Sequence, residues 1–178
     1  MKKEVPILDG VAVTVHGREV RVEGPHGKHV RSFLEPSVRS LVIERQGETV
    51  VVSSSSERKK ARTYVGTVAA HIRNMIHGSK HGYRYTMRIH YTHFPIAVTT
   101  KGKEIQIRNF LGEKGARIAY VHGDAAVTAG KEEITITGHN KEDVGQTAAA
   151  IERACRVGKK DRRIFVDGIY IESRGAHE

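Results

Sequence analysis

TVHGREVRVEG, residues 14–24, and TTKGKEIQIRN, residues 99–109, share one pattern. Gly17 aligns with Gly102, Glu19 with Glu104, Val20 with Ile105 and Val22 with Ile107. In each copy an apolar stretch meets a tight turn at the glycine. A strand then leaves it with apolar and polar side chains alternating, the signature of a half-buried hairpin. In the first copy the hairpin joins VAVTV (11–15) to EVRVE (19–23).

The segments downstream of each hairpin recur as well. TVVVSS (49–54), placed after the turn QGE, is answered by EITITG (133–138). YVGTVAAHI (64–72) is answered by DVGQTAAAI (143–151), with Gly66 on Gly145 and Ile72 on Ile151. A strand–turn–strand–helix order can recur by chance, but shared glycines and isoleucines at almost constant offset argue for an internal duplication.

The period changes between strands and helices. From Glu57 to His77 the apolar residues Ala61, Val65, Val68, Ile72 and Met75 or Ile76 fall on one helical stripe. Ser56 is placed to cap its start, and Gly78 to end it. A second helix begins near Lys141, carries Val144, Ala148, Ile151 and Cys155 on its stripe, and is expected to end near Val157. The expected class is α+β: two similar units, each an antiparallel or mixed sheet packed by one helix. The units are expected at 1–82 and 83–174, with 175–178 a frayed tail.

Charge points to the partner. The 178 residues hold 30 Lys plus Arg against 20 Asp plus Glu, a net charge of +10. Such a surface attracts polyanions, nucleic acid above all. A membrane surface would need an amphipathic helix with basic residues on one face, and no such pattern is present. No apolar run is long enough to span a bilayer, and MKKEVPILDG shows no apolar signal-peptide core. Cys155 is the one cysteine. It excludes an intrachain disulfide, fits a reducing cytosol, and reads as a small core residue.

The densest cluster lies at 153–163, where Arg153, Arg156, Lys159, Lys160, Arg162 and Arg163 face Asp161 alone, net +5. A charge run is most often a solvated surface. This one stands after a helix end and before IFVDGIYI (164–171), which is expected to form a strand or a small hairpin around Asp167-Gly168. A rigid base of that kind would hold cations where phosphates pass. Arginine takes two phosphate oxygens at once and lysine adds point charge. Phe165 and Tyr170 read as core or sheet-face residues, Tyr170 with the option of stacking on a base.

Other chemistries find little support. Among eleven histidines, His77 and His81 are expected to be split by Gly78, and His90 and His93 to face opposite ways. Zinc spacing therefore fails, and no metal is expected. GPHGKHV (24–30) has a Gly-Lys pair but neither the following Ser or Thr nor the helix of a phosphate loop. GEKG (112–115) matches the G-x-x-G loop of KH domains, but it comes after a strand, whereas a KH loop joins two helices. Asp124, Glu132 and Glu133 lack an evident partner, and Ser53–Ser56 look like a strand end leading to a helix cap. No cofactor site is read, and the chain is not expected to be an enzyme. The rivals are a free KH-like RNA-binding regulator and an RNA-processing enzyme.

HIRNMIHG (71–78), GYRYTMRIHYTHFPIAV (82–98), RNFLGEK (108–114), VGQTAAAIE (144–152) and KKDRRIFVDGIYI (159–171) together resemble the large-subunit ribosomal protein L-six family. The match is to its archaeal and eukaryotic branch, called L-nine in eukaryotic naming, and covers nearly the whole chain. The loop 112–124 carries few basic residues, which favours an archaeal source. The resemblance implies a fold of two sheet-plus-helix units and a cytoplasmic protein of the ribosome without catalytic activity. It implies that the second unit is the main binder of large-subunit RNA, beside the sarcin–ricin loop, near neighbouring ribosomal proteins and the binding region of translational GTPases. The matching contact positions are Gly158, Lys159, Lys160, Arg162, Arg163 and Tyr170, with Arg156 at the helix end. Arg108, Asn109 and Lys114 of RNFLGEK form a second contact, although Phe110 and Leu111 could equally pack within the protein. Arg58, Lys59, Lys60 and Arg62 of the first unit would face solvent or the RNA periphery.

Overall fold

Alternation becomes pairing in the first copy of the repeat. β2 (Ala12–His16) and β3 (Glu19–Gly24) form an antiparallel hairpin in which Val13 faces Val22 and Val15 faces Val20. The turn glycine Gly17 has φ 61°, and its counterpart Gly102 has φ 59°. Side chains with a Cβ adopt that region reluctantly, which is why glycine holds both turns. The computed structural model describes residues 1–34, 41–56, 58–158, 161 and 164–176.

The chain divides into two units, Met1–Gly82 and Tyr83–Glu178. In the first, β1 (Lys2–Pro6) precedes β2 and β3, and β4 (Gly27–Ser32), β5 (Leu41–Gln46), β6 (Thr49–Ser54) and α1 (Lys59–His81) come after them. In the second the order is β7 (Tyr83–His90), β8 (Ala97–Lys101), β9 (Glu104–Arg108), a 3-10 turn (Phe110–Gly112), β10 (Arg117–Tyr120), β11 (Ala126–Ala129), β12 (Glu133–Gly138), α2 (Lys141–Ala154) and β13 (Gly168–Ala176).

The strand orders confirm the duplication. Sheet β1-β6-β5 matches β7-β12-β11, and sheet β2-β3-β4 matches β8-β9-β10. The second unit adds β13, which pairs with the other edge of β7 to give β11-β12-β7-β13. All these pairings are antiparallel. The class is α+β as expected, but each unit holds two small sheets where one was expected. Period-two alternation tells which face of a strand is buried and not which sheet the strand joins.

Each helix covers its own core. Val65, Val68, Ile72, Met75 and Ile76 of α1 pack with Val5, Val13, Val22, Val50 and Val52. Val144, Ala148 and Ile151 of α2 pack with Tyr85, Met87, Ile105, Ile134 and Ile136. Each fully buried isoleucine is worth roughly 1.5–3 kcal/mol in transfer free energy.

The element ends depart from expectation in four places. First, α1 does not end at Gly78. It runs on to His81, and Gly82, at φ 71°, caps it by donating to the Gly78 carbonyl. The extra turn docks: the Ser79 carbonyl accepts from the His26 amide at 3.0 Å, against the β3–β4 turn. Ser56 is not the helix N-cap either. That position belongs to Arg58, whose amide donates to Ser56 Oγ at 3.4 Å. Second, α2 stops at Ala154, before Val157. Val157 stays buried without being helical, so the apolar stripe overran the helix. Third, no hairpin forms around Asp167-Gly168. Residues 164–167 are not strand, and β13 begins at Gly168. Fourth, Gly175 and Ala176 are not frayed; they pair with Arg84 and Tyr83.

Candidate nucleic-acid interface

The side chain that organises this end of the second unit carries no mark in the sequence. Arg117, first residue of β10, points its guanidinium at the end of α2. Its Nη1 donates to the Ala154 carbonyl at 2.8 Å and to the Arg156 carbonyl at 3.2 Å. Its Nε and Nη2 donate to the two carboxylate oxygens of Glu113, at 2.8 and 2.6 Å. The same cation lies 4.3 Å from the centroid of the Phe110 ring. The fork thus satisfies carbonyls that a helix end leaves unpaired and fixes the RNFLGEK tip against them.

That contact shifts both titrations. The hydrogen bonds from Arg117 hold the Glu113 carboxyl below the usual carboxylate value. The bonds to Glu113 raise Arg117 above the usual arginine value.

Downstream, Asp167 secures the entry to β13. It is 2% exposed, and its Oδ1 accepts from the Thr92 amide at 3.0 Å. His93 Nδ1 stands 3.8 Å from its Oδ2, and the His93 ring stacks on Phe165 at 5.9 Å. A local signal was available, since an aspartate followed by glycine marks a turn. Its actual role, holding the loop after β7, is a long-range contact that sequence spacing does not reveal.

Lys159, Lys160, Arg162 and Arg163 lie outside the described residues. The positions on either side of them are described. Arg117 ties the chain at Ala154 and Arg156, and Asp167 ties it again before β13. Arg156 and Gly158 are exposed, as is Lys114 at the tip. Arg108 is exposed and donates to the Gln106 side chain at 3.2 Å. Asn109 serves the fold: it sits at φ 58° and its side-chain amide donates to the Pro95 carbonyl at 3.0 Å. Phe110 is 1% exposed and belongs to the core, and Leu111 packs against it. Tyr170 is half-buried, its ring 6.0 Å from that of His90. Together with Glu152 and Val166 these two line an open cavity of ≈ 490 Å³. Ile164, 85% exposed, and Val166, 49% exposed, add apolar surface beside the basic segment. Both were expected in a strand.

The rival chemistries meet the same geometry. GEKG lies between the 3-10 turn and β10, not between two helices. His77 and His81 both lie in α1, their rings 4.9 Å apart, so Gly78 does not split them. Among the described residues, no three His, Cys, Asp or Glu side chains are grouped to hold a metal. Among the described residues, no helix is long and apolar enough to cross a membrane.

Comparison with known proteins agrees with the duplication. The family model described as "Ribosomal protein L6" matches twice, over residues 7–82 and 94–168. Both matches begin past the first strand of their unit, and the second ends where β13 begins. The chain is 44% identical over 173 residues to "Large ribosomal subunit protein uL6" of Methanocella arvoryzae, covering 97% of this chain and 96% of that one. It is 46% identical over 175 residues to the protein of that name in Desulfurococcus amylolyticus, with 97% and 94% covered. The Halobacterium salinarum protein of the same name is 43% identical over 173 residues, with 97% and 96% covered.

Proposed function

The chain belongs to the ribosomal protein L6 family, and on that premise we propose that it is a structural constituent of the large ribosomal subunit, acting by binding RNA. It is not an enzyme. Its second unit docks on large-subunit RNA beside the sarcin–ricin loop, among neighbouring ribosomal proteins and close to where translational GTPases bind. Its place is the ribosome in the cytoplasm.

The observation that carries the reading is the Arg117 clamp. It draws the RNFLGEK tip to the helix end from which the basic segment leaves. In this reading Lys114, Arg156, Gly158, Lys159, Lys160, Arg162 and Arg163 are the phosphate contacts, with Arg108, Asn109 and Tyr170 as further contacts. Phosphate contacts position the protein, and RNA shape supplies the specificity. A free KH-like regulator gains no support, because its backbone-clamping loop requires two flanking helices.

The test has two stages. Sedimentation of cell extract should carry the protein with the large subunit at moderate salt. Neutralising Lys159, Lys160, Arg162 and Arg163 to Gln should then weaken binding to a large-subunit RNA fragment. The slope of log affinity against log salt should flatten by about 3. An unchanged slope would sink the site assignment, and a protein left at the top of the gradient would sink the ribosomal reading.

A further inference from the structure

The far end of β13 holds a second feature. Between Ile171 and Ser173 the β13–β7 register slips: Ile171 faces Met87, Ser173 faces Thr86, and Arg174 faces Tyr85. Unbroken alternation would put Arg174 on the side of Tyr170, opposite the α2-packed face. The extra residue turns Arg174 onto the face of Tyr85, where β7 packs under α2. The Thr86 and Ser173 hydroxyls meet on the opposite face, as this register requires.

The start of α2 completes the site. Lys141 holds its ammonium 5.7 Å from the centroid of the Tyr83 ring. One turn on, on the same helix face, is Gly145, where an added Cβ would lie 3.9 Å from the Tyr85 ring. A cavity of ≈ 320 Å³ opens nearby, lined by Tyr83, Tyr85, Lys141, Arg174 and Gly175. Asp143, the nearby acid, is engaged elsewhere: its Oδ2 accepts from Asn140 Nδ2 at 2.9 Å and lies against Gly123.

We infer that this cavity is a second RNA-contact site, seating one phosphodiester between Lys141 and Arg174. The inference rests on the RNA-binding reading above. Arg174 supplies a planar fork for two phosphate oxygens and Lys141 a point charge. Burial pushes Tyr83 up to about 12, so its hydroxyl keeps its proton at neutral pH. Tyr83 and Tyr85 are nearly buried, so recognition falls to the two cations at the rim, and the RNA-binding reading selects a phosphodiester over an acidic peptide. The site lies about 20 Å along β13 from Gly168.

The test is an NMR titration of the full chain with the dinucleotide UpU, with uridine and with hexaglutamate, alongside binding of a large-subunit RNA fragment. UpU should shift the signals of Lys141, Gly145 and Arg174, and the other two ligands should not. The double variant Lys141→Gln/Arg174→Gln should lose those shifts and flatten the salt slope for the RNA fragment by roughly 1.4. A charge-matched control, Lys2→Gln/Lys28→Gln, should keep both. Silence at millimolar UpU, equal shifts with hexaglutamate, or an unchanged slope in the double variant would overturn the site. If the wild-type chain ignores the RNA fragment altogether, the RNA-binding reading itself fails. If it binds the fragment while the cavity stays silent, only this site is lost.

Discussion

Arg117 and Ala154 stand on different elements, β10 and the last turn of α2, and the Arg117 Nη1 to Ala154 carbonyl distance is 2.8 Å. No regular backbone pairing joins those two elements. The guanidinium therefore ties the helix end to the 110–113 tip, with Glu113 and Phe110 as its other partners, in addition to the core packing they share.

Replacing Arg117 by Met should lower stability by about 2–3 kcal/mol, because two carbonyls lose a charged donor. Urea unfolding would show this as a lower midpoint at constant m. Arg117→Lys keeps the charge and loses the fork, so it should recover part of the loss. The salt slope for RNA should change little, since Arg117 contacts protein and not phosphate, while affinity falls.

The Glu113 contact gives stability a pH signature. Its folded pKa lies below the ordinary carboxylate value of 4.5 because Arg117 hydrogen-bonds the carboxylate. Between those values the unfolded chain binds more protons, so stability rises with pH there. The contribution is present above about 4.5 and is lost as pH falls through the folded value. Unfolding curves of Glu113→Gln measured from about pH 3 to pH 6 should lack this component.

At the alkaline end Cys155 takes over. Burial pushes its thiol up to about 12, only partly offset by Arg117 and the Ile169 amide. Above the unfolded thiol value near 9 the folded chain holds the extra proton, so stability should fall as pH rises toward 12. Cys155→Ala should remove that part of the decline. At about pH 8 a thiol reagent should label the native chain much more slowly than the unfolded one, because burial disfavours the thiolate and shields the sulfur.

Two glycine substitutions should act with opposite signs. A Cβ on Gly24 would meet the Ser79 carbonyl oxygen at 2.4 Å and carbon at 2.8 Å, and both atoms belong to backbone held by the α1 docking. Gly24→Ala should cost about 1–3 kcal/mol. Gly66 lies inside α1 with nothing within 4 Å of an added Cβ. Gly66→Ala should stabilise by roughly 0.5–1 kcal/mol, because alanine loses less entropy in a helix. Thermal unfolding of the two variants decides both.

Asp167→Ala should remove the side-chain acceptor of the Thr92 amide, at about 1 kcal/mol. It should also loosen the start of β13, seen as faster amide exchange at Gly168 and Ile169.

Much of the fold was legible because local periodicity carried it. Val20 and Val22, aligned with Ile105 and Ile107, mark buried faces by alternation, and all four are fully buried. The α1 and α2 stripes likewise name their core residues correctly. Less of the site was legible. Lys114 and Arg156 are exposed as a contact needs, whereas Asn109 turned out to bond Pro95. Arg117 was overlooked because one arginine in GEKGARIAY carries no local mark of the carbonyls it will meet. Element ends failed for a related reason: Gly78 carries the local sign of a helix stop, but the docking of Ser79 on His26 keeps the helix going.

By itself the sequence determined the duplication, the α+β class, the faces that are buried and the polyanion-seeking charge. These depend on side-chain type at fixed spacing along one chain, and spacing is what a sequence records. Tertiary structure alone decided that each unit splits into two sheets and that β13 closes the edge of β7. It also decided that a register slip turns Arg174 toward the tyrosines, and that Arg117 joins the tip to the helix end. Each of these sets together groups distant in sequence, and their positions depend on how packed elements meet, which no local pattern encodes.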